Sequence, residues 1–154
     1  MVVLKKPKQA AERPERMEEW GEPRTEPVKK SLSILVVDDN PAMLRLLTMI
    51  LDSRGHRTST AENGRKGLEA FRKGGIDLVI SDYQMPEMDG LQMLQEIRKT
   101  DPATGVIIAS SRSKDELKEI FGGHGATMIL EKPLEHDDIL EALEFAARAF
   151  PKGI

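Results

Sequence analysis

The chain has 154 residues, 39% apolar and 32% charged, with a formal net charge of −3 and a pI near 5.7. That length suits one domain plus short trimmings, with enough apolar residues for one core. The slight acid excess argues against a nucleic-acid-binding surface, the lack of cysteine excludes disulfides and thiolate metal sites, and no apolar run nears a membrane span or a signal-peptide h-region, so a cytoplasmic location is expected.

Residues 1–31 mix both charge signs and carry Pro7, Pro14, Pro23 and Pro27, with few large apolar side chains. Such a stretch buries too little to offset its ordering entropy, and it reads as a flexible charged N-terminal extension. A helical turn is expected around Glu15 to Trp20, with Trp20 a lone aromatic of the extension.

From Leu32 to Phe150 strand and helix signals alternate, and 151–154 form a short tail. Ile34 to Val37 is a continuous apolar run, as expected of a strand covered on both faces. Asn40 and Pro41 supply an N-cap and a first-turn proline; Met43, Leu46, Leu47, Ile50 and Leu51 repeat at helical spacing, and Gly55 stops the helix. Arg57 to Ala61 is β-branched but polar, which suits an edge strand. Asn63 caps a second helix that ends at Gly74 and Gly75, and Ile76 to Ser81 is a third strand. Asp89 and Gly90 open a third helix with Leu91, Leu94 and Ile97 on one face; Val106 to Ser110 is a fourth strand. Ser113 and Glu116 form a capping box for a fourth helix, which the "GGHG" of residues 122–125 stops. Met128 to Leu130 is a fifth strand, and a last helix runs from about Asp137 to Phe150. Its core stripe is Ile139, Leu143, Ala146 and Phe150; Phe145 falls nearly opposite, as a partner contact or a bare surface aromatic. His56, His124 and His136 lack partners at metal-ligand spacing and read as surface residues.

Strands alternating with helices imply an α/β fold: a doubly wound parallel sheet of five strands with five helices, in three layers α/β/α. Chemistry in such folds sits beyond the carboxyl ends of the strands. Asp38 and Asp39 follow the first strand, Asp82 the third, Ser110 ends the fourth and Lys132 follows the fifth. Grouped carboxylates repel unless a cation joins them, and an oxygen-only donor set selects a hard cation, Mg²⁺ above all. An ammonium and a hydroxyl facing that group make a clamp for a transferring phosphoryl group, with Asp82 the natural nucleophile. Taken singly, the acids read as helix caps or turn residues, Lys132 as a solvated lysine and Ser110 as a strand-end hydroxyl. Recurrence at four strand ends favours one joint site.

With "VVDDN", "DYQMPEMDG", "IIASS" and "EKP" in this order, the stretch 32–150 resembles a response-regulator receiver domain of two-component signalling, of the CheY-like superfamily. The resemblance implies a flavodoxin-like sheet with strand order 2-1-3-4-5. It implies that Asp82 is the phosphoacceptor, that Asp39 binds the metal directly and Asp38 through water, and that the backbone carbonyl of Gln84 completes the protein ligands. By the same resemblance Lys132 pairs with the phosphoryl group, the Lys132–Pro133 bond is cis, and Ser110 is the switch hydroxyl. Gln84, Ser111 and Arg112 sit where relatives vary and tune phosphoryl lifetime. One residue departs from the pattern: Ile129 stands where the family often has Tyr or Phe as a second switch residue.

The function expected is thus a phosphorylation-dependent signalling receiver, not an enzyme beyond its own phosphorylation and dephosphorylation. Its expected donor is a sensor histidine kinase or histidine phosphotransfer protein. Its expected target is a protein bound on the face of helix four, strand five and helix five, with a homodimer as a further option and with no nucleic acid or membrane partner. No output domain follows in this sequence, which suits a stand-alone receiver. Two rival readings are a receiver-like scaffold that is never phosphorylated and an aspartate-nucleophile phosphohydrolase. The intact acid set and Lys132 speak against the first; the adjacent Asp38–Asp39 pair and the absence of a substrate cap speak against the second.

Overall fold

The run Ile34 to Val37 is completely inaccessible to solvent, the state that a strand covered on both faces must reach. The computed structural model describes residues 3–4 and 31–149. Trp20 and the turn expected beside it, Phe150, and the 151–154 tail lie outside the described residues.

In chain order the elements are β1 (Val3–Leu4), β2 (Ser33–Val37), α1 (Pro41–Ser53), β3 (Arg57–Ala61), α2 (Gly64–Arg72), β4 (Leu78–Asp82), α3 (Gly90–Thr100), β5 (Gly105–Ser110), α4 (Lys114–Phe121), β6 (Met128–Glu131) and α5 (His136–Ala149). Every strand pairing is parallel, and the sheet order is β1-β6-β5-β4-β2-β3. The five strands β2 to β6 therefore run in the expected 2-1-3-4-5 order. Strand β1 was not foreseen: Val3 and Leu4, within the stretch read as an extension, pair with Met128 and Ile129 and cover the free edge of β6.

Alternation along each strand divides the core in two. Leu35, Val37, Val79, Ile108 and Ile129 point to one side, where α2, α3 and α4 bring Leu68, Phe71, Met93, Leu94, Ile97, Leu117 and Phe121. Ile34, Val36, Ile80, Ile107 and Leu130 point to the other, against Leu47 and Leu51 of α1 and Ile139, Leu143 and Ala146 of α5. Each such aliphatic side chain contributes about 1.5–3 kcal/mol when fully buried.

Local signals start the helices where expected. Asn40 Oδ1 accepts from Ala42 N at 2.9 Å, and Asn63 Oδ1 accepts from Lys66 N at 2.8 Å. Three readings need correction. The reciprocal capping box lies at α3, between Asp89 and Gln92; at α4 Ser113 caps alone, and the Glu116 carboxylate lies 3.8 Å from Arg112 Nη1. Leu46, placed on the core stripe of α1, is 45% exposed, as is Met49 at 69%, because Leu47 and Leu51 face the sheet. Phe145, read as surface-facing, is half-buried against the α1/α5 side of the core.

Past α3 one cation holds three turns of chain together. Arg98 Nε and Nη2 donate to Gly125 O at 3.0 and 2.7 Å, and Nη1 donates to Asp101 O and Thr104 O at 3.1 and 2.7 Å. Removing it strands part-buried carbonyls ahead of β5 and β6. Arg98→Ala is expected to cost about 2–3 kcal/mol of stability, with Arg98→Lys recovering only part of the loss. Urea unfolding followed by circular dichroism measures both; an unchanged midpoint in Arg98→Ala would contradict this role.

Candidate functional site

A parallel sheet delivers all its strand ends to one rim. Here β2 runs out into Asp38 and Asp39, β4 ends on Asp82, β5 ends on Ser110, and Lys132 follows β6. Asp38 is buried, Asp82 half-buried and Asp39 exposed, and one carboxylate oxygen from each lies within 4.8 Å of the others. Lys132 Nζ bridges Asp38 and Asp82, 3.2 Å from Asp38 Oδ2 and 3.2 Å from Asp82 Oδ1.

Backbone donors fix the carboxylates. Asp38 Oδ1 accepts from Asn40 N at 2.9 Å, so the residue that caps α1 also orients the first acid. Asp82 Oδ1 accepts from Tyr83 N at 2.9 Å. Ser110, 2% exposed, accepts at Oγ from Arg112 N (3.2 Å), and its carbonyl accepts from Lys132 N at 2.7 Å. The structure thus brings Asp38, Asp39, Asp82 and Lys132 together. Ser110 occupies the neighbouring strand end, one step past the Ala109 that pairs with Asp82. Gln84 is exposed on the loop after Asp82, and the Lys132–Pro133 bond is cis, as expected.

Two glycines shape the site beyond what the sequence reading assigns: Gly90, read only as the start of a helix, and Gly64, not singled out. A Cβ on Gly90 would stand 2.4 Å from Asp82 O, and one on Gly64 would stand 2.4 Å from Met88 O. Gly90 N donates to Tyr83 O at 2.7 Å and Gly64 N donates to Met88 O at 3.0 Å, so the loop from Tyr83 to Asp89 is pinned at both ends. Within it Glu87 adopts a left-handed backbone, φ 68°. The available signal was a glycine at the first helical position after each cap, where a better helix former is normally preferred.

The electrostatics follow from crowding. Burial, reinforced by the Asp38 charge, pushes the Asp82 carboxyl above the usual carboxylate range, although Lys132 opposes the shift. Burial pulls the Lys132 ammonium down, but Asp82 and Asp38 together outweigh it and hold it above the ordinary lysine value. One ammonium cannot neutralise three carboxylates. The donor set is all oxygen, with an exposed carboxylate at its open side, and it fits a hard divalent cation.

Residues 34–144 match the family model described as the response regulator receiver domain. The chain belongs to that family. Its match to the transcriptional regulatory protein GlrR of Escherichia coli strain K12 is 38% identical over 117 residues, 76% of this chain and 26% of that protein. The chain therefore spans about a quarter of that relative's length. A receiver domain protein from Clostridium thermocellum superposes with a TM-score of 0.71 at 31% identity, covering 76% of this chain and 94% of that one. Response regulator TrrA of Thermotoga maritima, solved in complex with Mg²⁺ and BeF, gives 0.68 at 33% identity, covering 75% and 98%. The receiver family is a signalling one, and no helix among the described residues is long and apolar enough to cross a membrane.

The crowding has a measurable consequence. Asp82→Asn keeps the shape and removes one of three like charges, so it is expected to raise stability by about 1 kcal/mol at neutral pH in metal-free buffer. Because the folded-state pKa of Asp82 is raised, its ionisation opposes folding at neutral pH. The advantage of the variant shrinks as pH falls through that pKa, where the native carboxyl is also neutral. Thermal unfolding across that range checks the sign; a lower midpoint for Asp82→Asn at pH 7 would refute it.

Proposed function

We propose that Asp82 of this receiver accepts a phosphoryl group from a phosphohistidine on a sensor histidine kinase or histidine phosphotransfer protein. The observation that carries the reading is Lys132 Nζ, within 3.2 Å of both Asp38 and Asp82 at the strand-end rim. Asp38, Asp39, Asp82 and the backbone carbonyl of Gln84 would hold Mg²⁺, which when bound neutralises charge on the transferring phosphoryl oxygens.

The chain's own groups account for the rest. An Asp82 carboxylate oxygen attacks phosphorus in line as the bond from phosphorus to the donor imidazole breaks. The bonding pair returns to the imidazole nitrogen, and the product is an acyl phosphate on Asp82. Lys132, already an ammonium between the two acids, moves its pairing from carboxylate to phosphoryl oxygen. Ser110 donates its hydroxyl hydrogen to another phosphoryl oxygen. Water later cleaves the acyl phosphate, returning the carboxylate and inorganic phosphate. Because these groups belong to the receiver, small phosphodonors serve as well as a partner protein.

The output is a protein target bound on the face formed by α4, β6 and α5, or a second copy of this chain there, in a cytoplasmic setting. Phosphoryl uptake biases that face through Ser110.

Incubation with acetyl phosphate and Mg²⁺, followed by intact mass, tests the reading. The wild-type chain is expected to gain one phosphoryl group, and chelation of the metal to prevent the gain. Asp82→Asn and Asp82→Ala are expected to show none, and Lys132→Ala to lose the downstream response even where some uptake remains. No adduct on the wild-type chain would overturn the reading in favour of a binding scaffold.

A further inference from the structure

One aromatic ring joins the acidic rim to helix α4. Tyr83 follows Asp82 directly, and its backbone N–H donates to Asp82 Oδ1 (2.9 Å) and lies 3.1 Å from Ala109 O. Its ring meets Phe121 edge-on, with centroids 5.1 Å apart and planes at 77°. Phe121 ends α4 and is completely buried. Over the Tyr83 ring stands the Arg112 guanidinium, its central carbon 5.7 Å from the centroid, within cation–π range.

Arg112 closes the circuit. Its N–H donates to Ser110 Oγ at 3.2 Å, and its Nη1 lies 3.8 Å from Glu116 in the first turn of α4. Its Nε is buried without a hydrogen-bond partner. A buried donor left unpaired costs free energy that a second arrangement of the same side chain can recover. The guanidinium is therefore held by a ring face and one loose ion pair, the kind of contact that rearranges when its backbone shifts.

We propose that Tyr83 and Arg112 form the relay that reports the state of Asp82 to α4. The proposal rests on the reading of Asp82 as acceptor. A Ser110 hydroxyl that swings to a phosphoryl oxygen on Asp82 leaves its 3.2 Å contact with Arg112 N. The root of the Tyr83 ring stays tied to β5 through Ala109, so the guanidinium moves relative to the ring. Phe121 and Glu116 sense the change from the two ends of α4. Tyr83 and Arg112 act here as positioning residues: their side chains transmit, and their backbone donors serve the site.

The test uses the full chain with Mg²⁺ and beryllofluoride. Amide hydrogen exchange over residues 114–121 is read by mass spectrometry, and the acetyl phosphate adduct is scored on the same variants. In the wild-type chain exchange in α4 is expected to change on beryllofluoride. Tyr83→Leu and Arg112→Ala are each expected to shrink that change about two- to fivefold, the size of one cation–π contact, while still forming the adduct. The double variant is expected to lose no more than either single one. Tyr83→Phe and Arg112→Lys, which keep a ring and a cation, are expected to restore the response, which a purely structural role would not require. The Arg112 side chain is 40% exposed, so Arg112→Ala carries the test if Tyr83→Leu does not fold. A full α4 response in Arg112→Ala, or failure of either single variant to form the adduct at any time point, would overturn the relay; a shorter-lived adduct would not. Absence of any adduct on the wild-type chain would instead fail the acceptor reading first, and the relay with it.

Discussion

Mutual repulsion among Asp38, Asp39 and Asp82, answered by a single ammonium, is the constraint on which the rest of this receiver depends. Three carboxylates within 4.8 Å would ordinarily drive one another apart or take up a proton. Here separation is prevented, and burial together with the crowding shows instead as a raised Asp82 pKa. Asp38 is held by the N–H of Asn40, and Asp82 by the N–H of Tyr83. The strain is electrostatic and local, and it is oriented: its unbalanced negative charge lies where Asp39 opens to solvent. A site built this way suits a divalent cation and, through Lys132, an anion such as a phosphoryl group, because either would relieve what the fold imposes.

Holding such a cluster demands a rigid frame, and the frame is the parallel sheet with its two apolar layers. The first acid follows a strand whose residues Ile34 to Val37 have no solvent contact on either face, and Asp82 is itself the last residue of the adjacent strand. Movement of either would have to slide β2 against β4, which the interleaved side chains of both core halves resist. The loop after Asp82 lacks that support. It is secured instead by close backbone approach, at Gly90 beneath Asp82 and at Gly64 beneath Met88, where any side chain would collide with a carbonyl oxygen.

These two kinds of support explain what was legible in the sequence. Strand ends are local events: an apolar run terminating in acid, hydroxyl or lysine can be read one residue at a time, so the strand-end placement of Asp38, Asp39, Asp82, Ser110 and Lys132 is legible in the sequence alone. The 2-1-3-4-5 order came from resemblance and was met by the structure. Tertiary contacts leave no such trace. Nothing in the spacing marks Arg98 as a bridge to Gly125, or Gly64 as the floor of a loop 24 residues away. Helical periodicity put Leu46 in the core because it ranks residues by apolarity, whereas a helix lying on a sheet buries only the narrow arc that includes Leu47 and Leu51. Strand β1 was missed for a related reason: two apolar residues in a charged stretch carry no period, and only the free edge of β6 gives them a partner.

The same distinction bears on how a receiver with Ile129 on β6 can signal at all. Ile129 is 1% exposed and belongs to the layer that also holds Phe121, with Tyr83 packed against it. Aromatic volume at this corner is therefore supplied from α4 and from the rim, and an aliphatic residue on β6 is what that layer needs for close packing. Ile129 can offer neither a hydroxyl nor a ring that turns. Tyr83 lies one residue from Asp82 and touches both Phe121 and Arg112, so an aromatic contact sits directly beside the acidic rim. On the relay proposed above, only two side chains separate Asp82 from α4, and β6 is left as a fixed strand that leads into Lys132 at one end and accepts β1 along its edge.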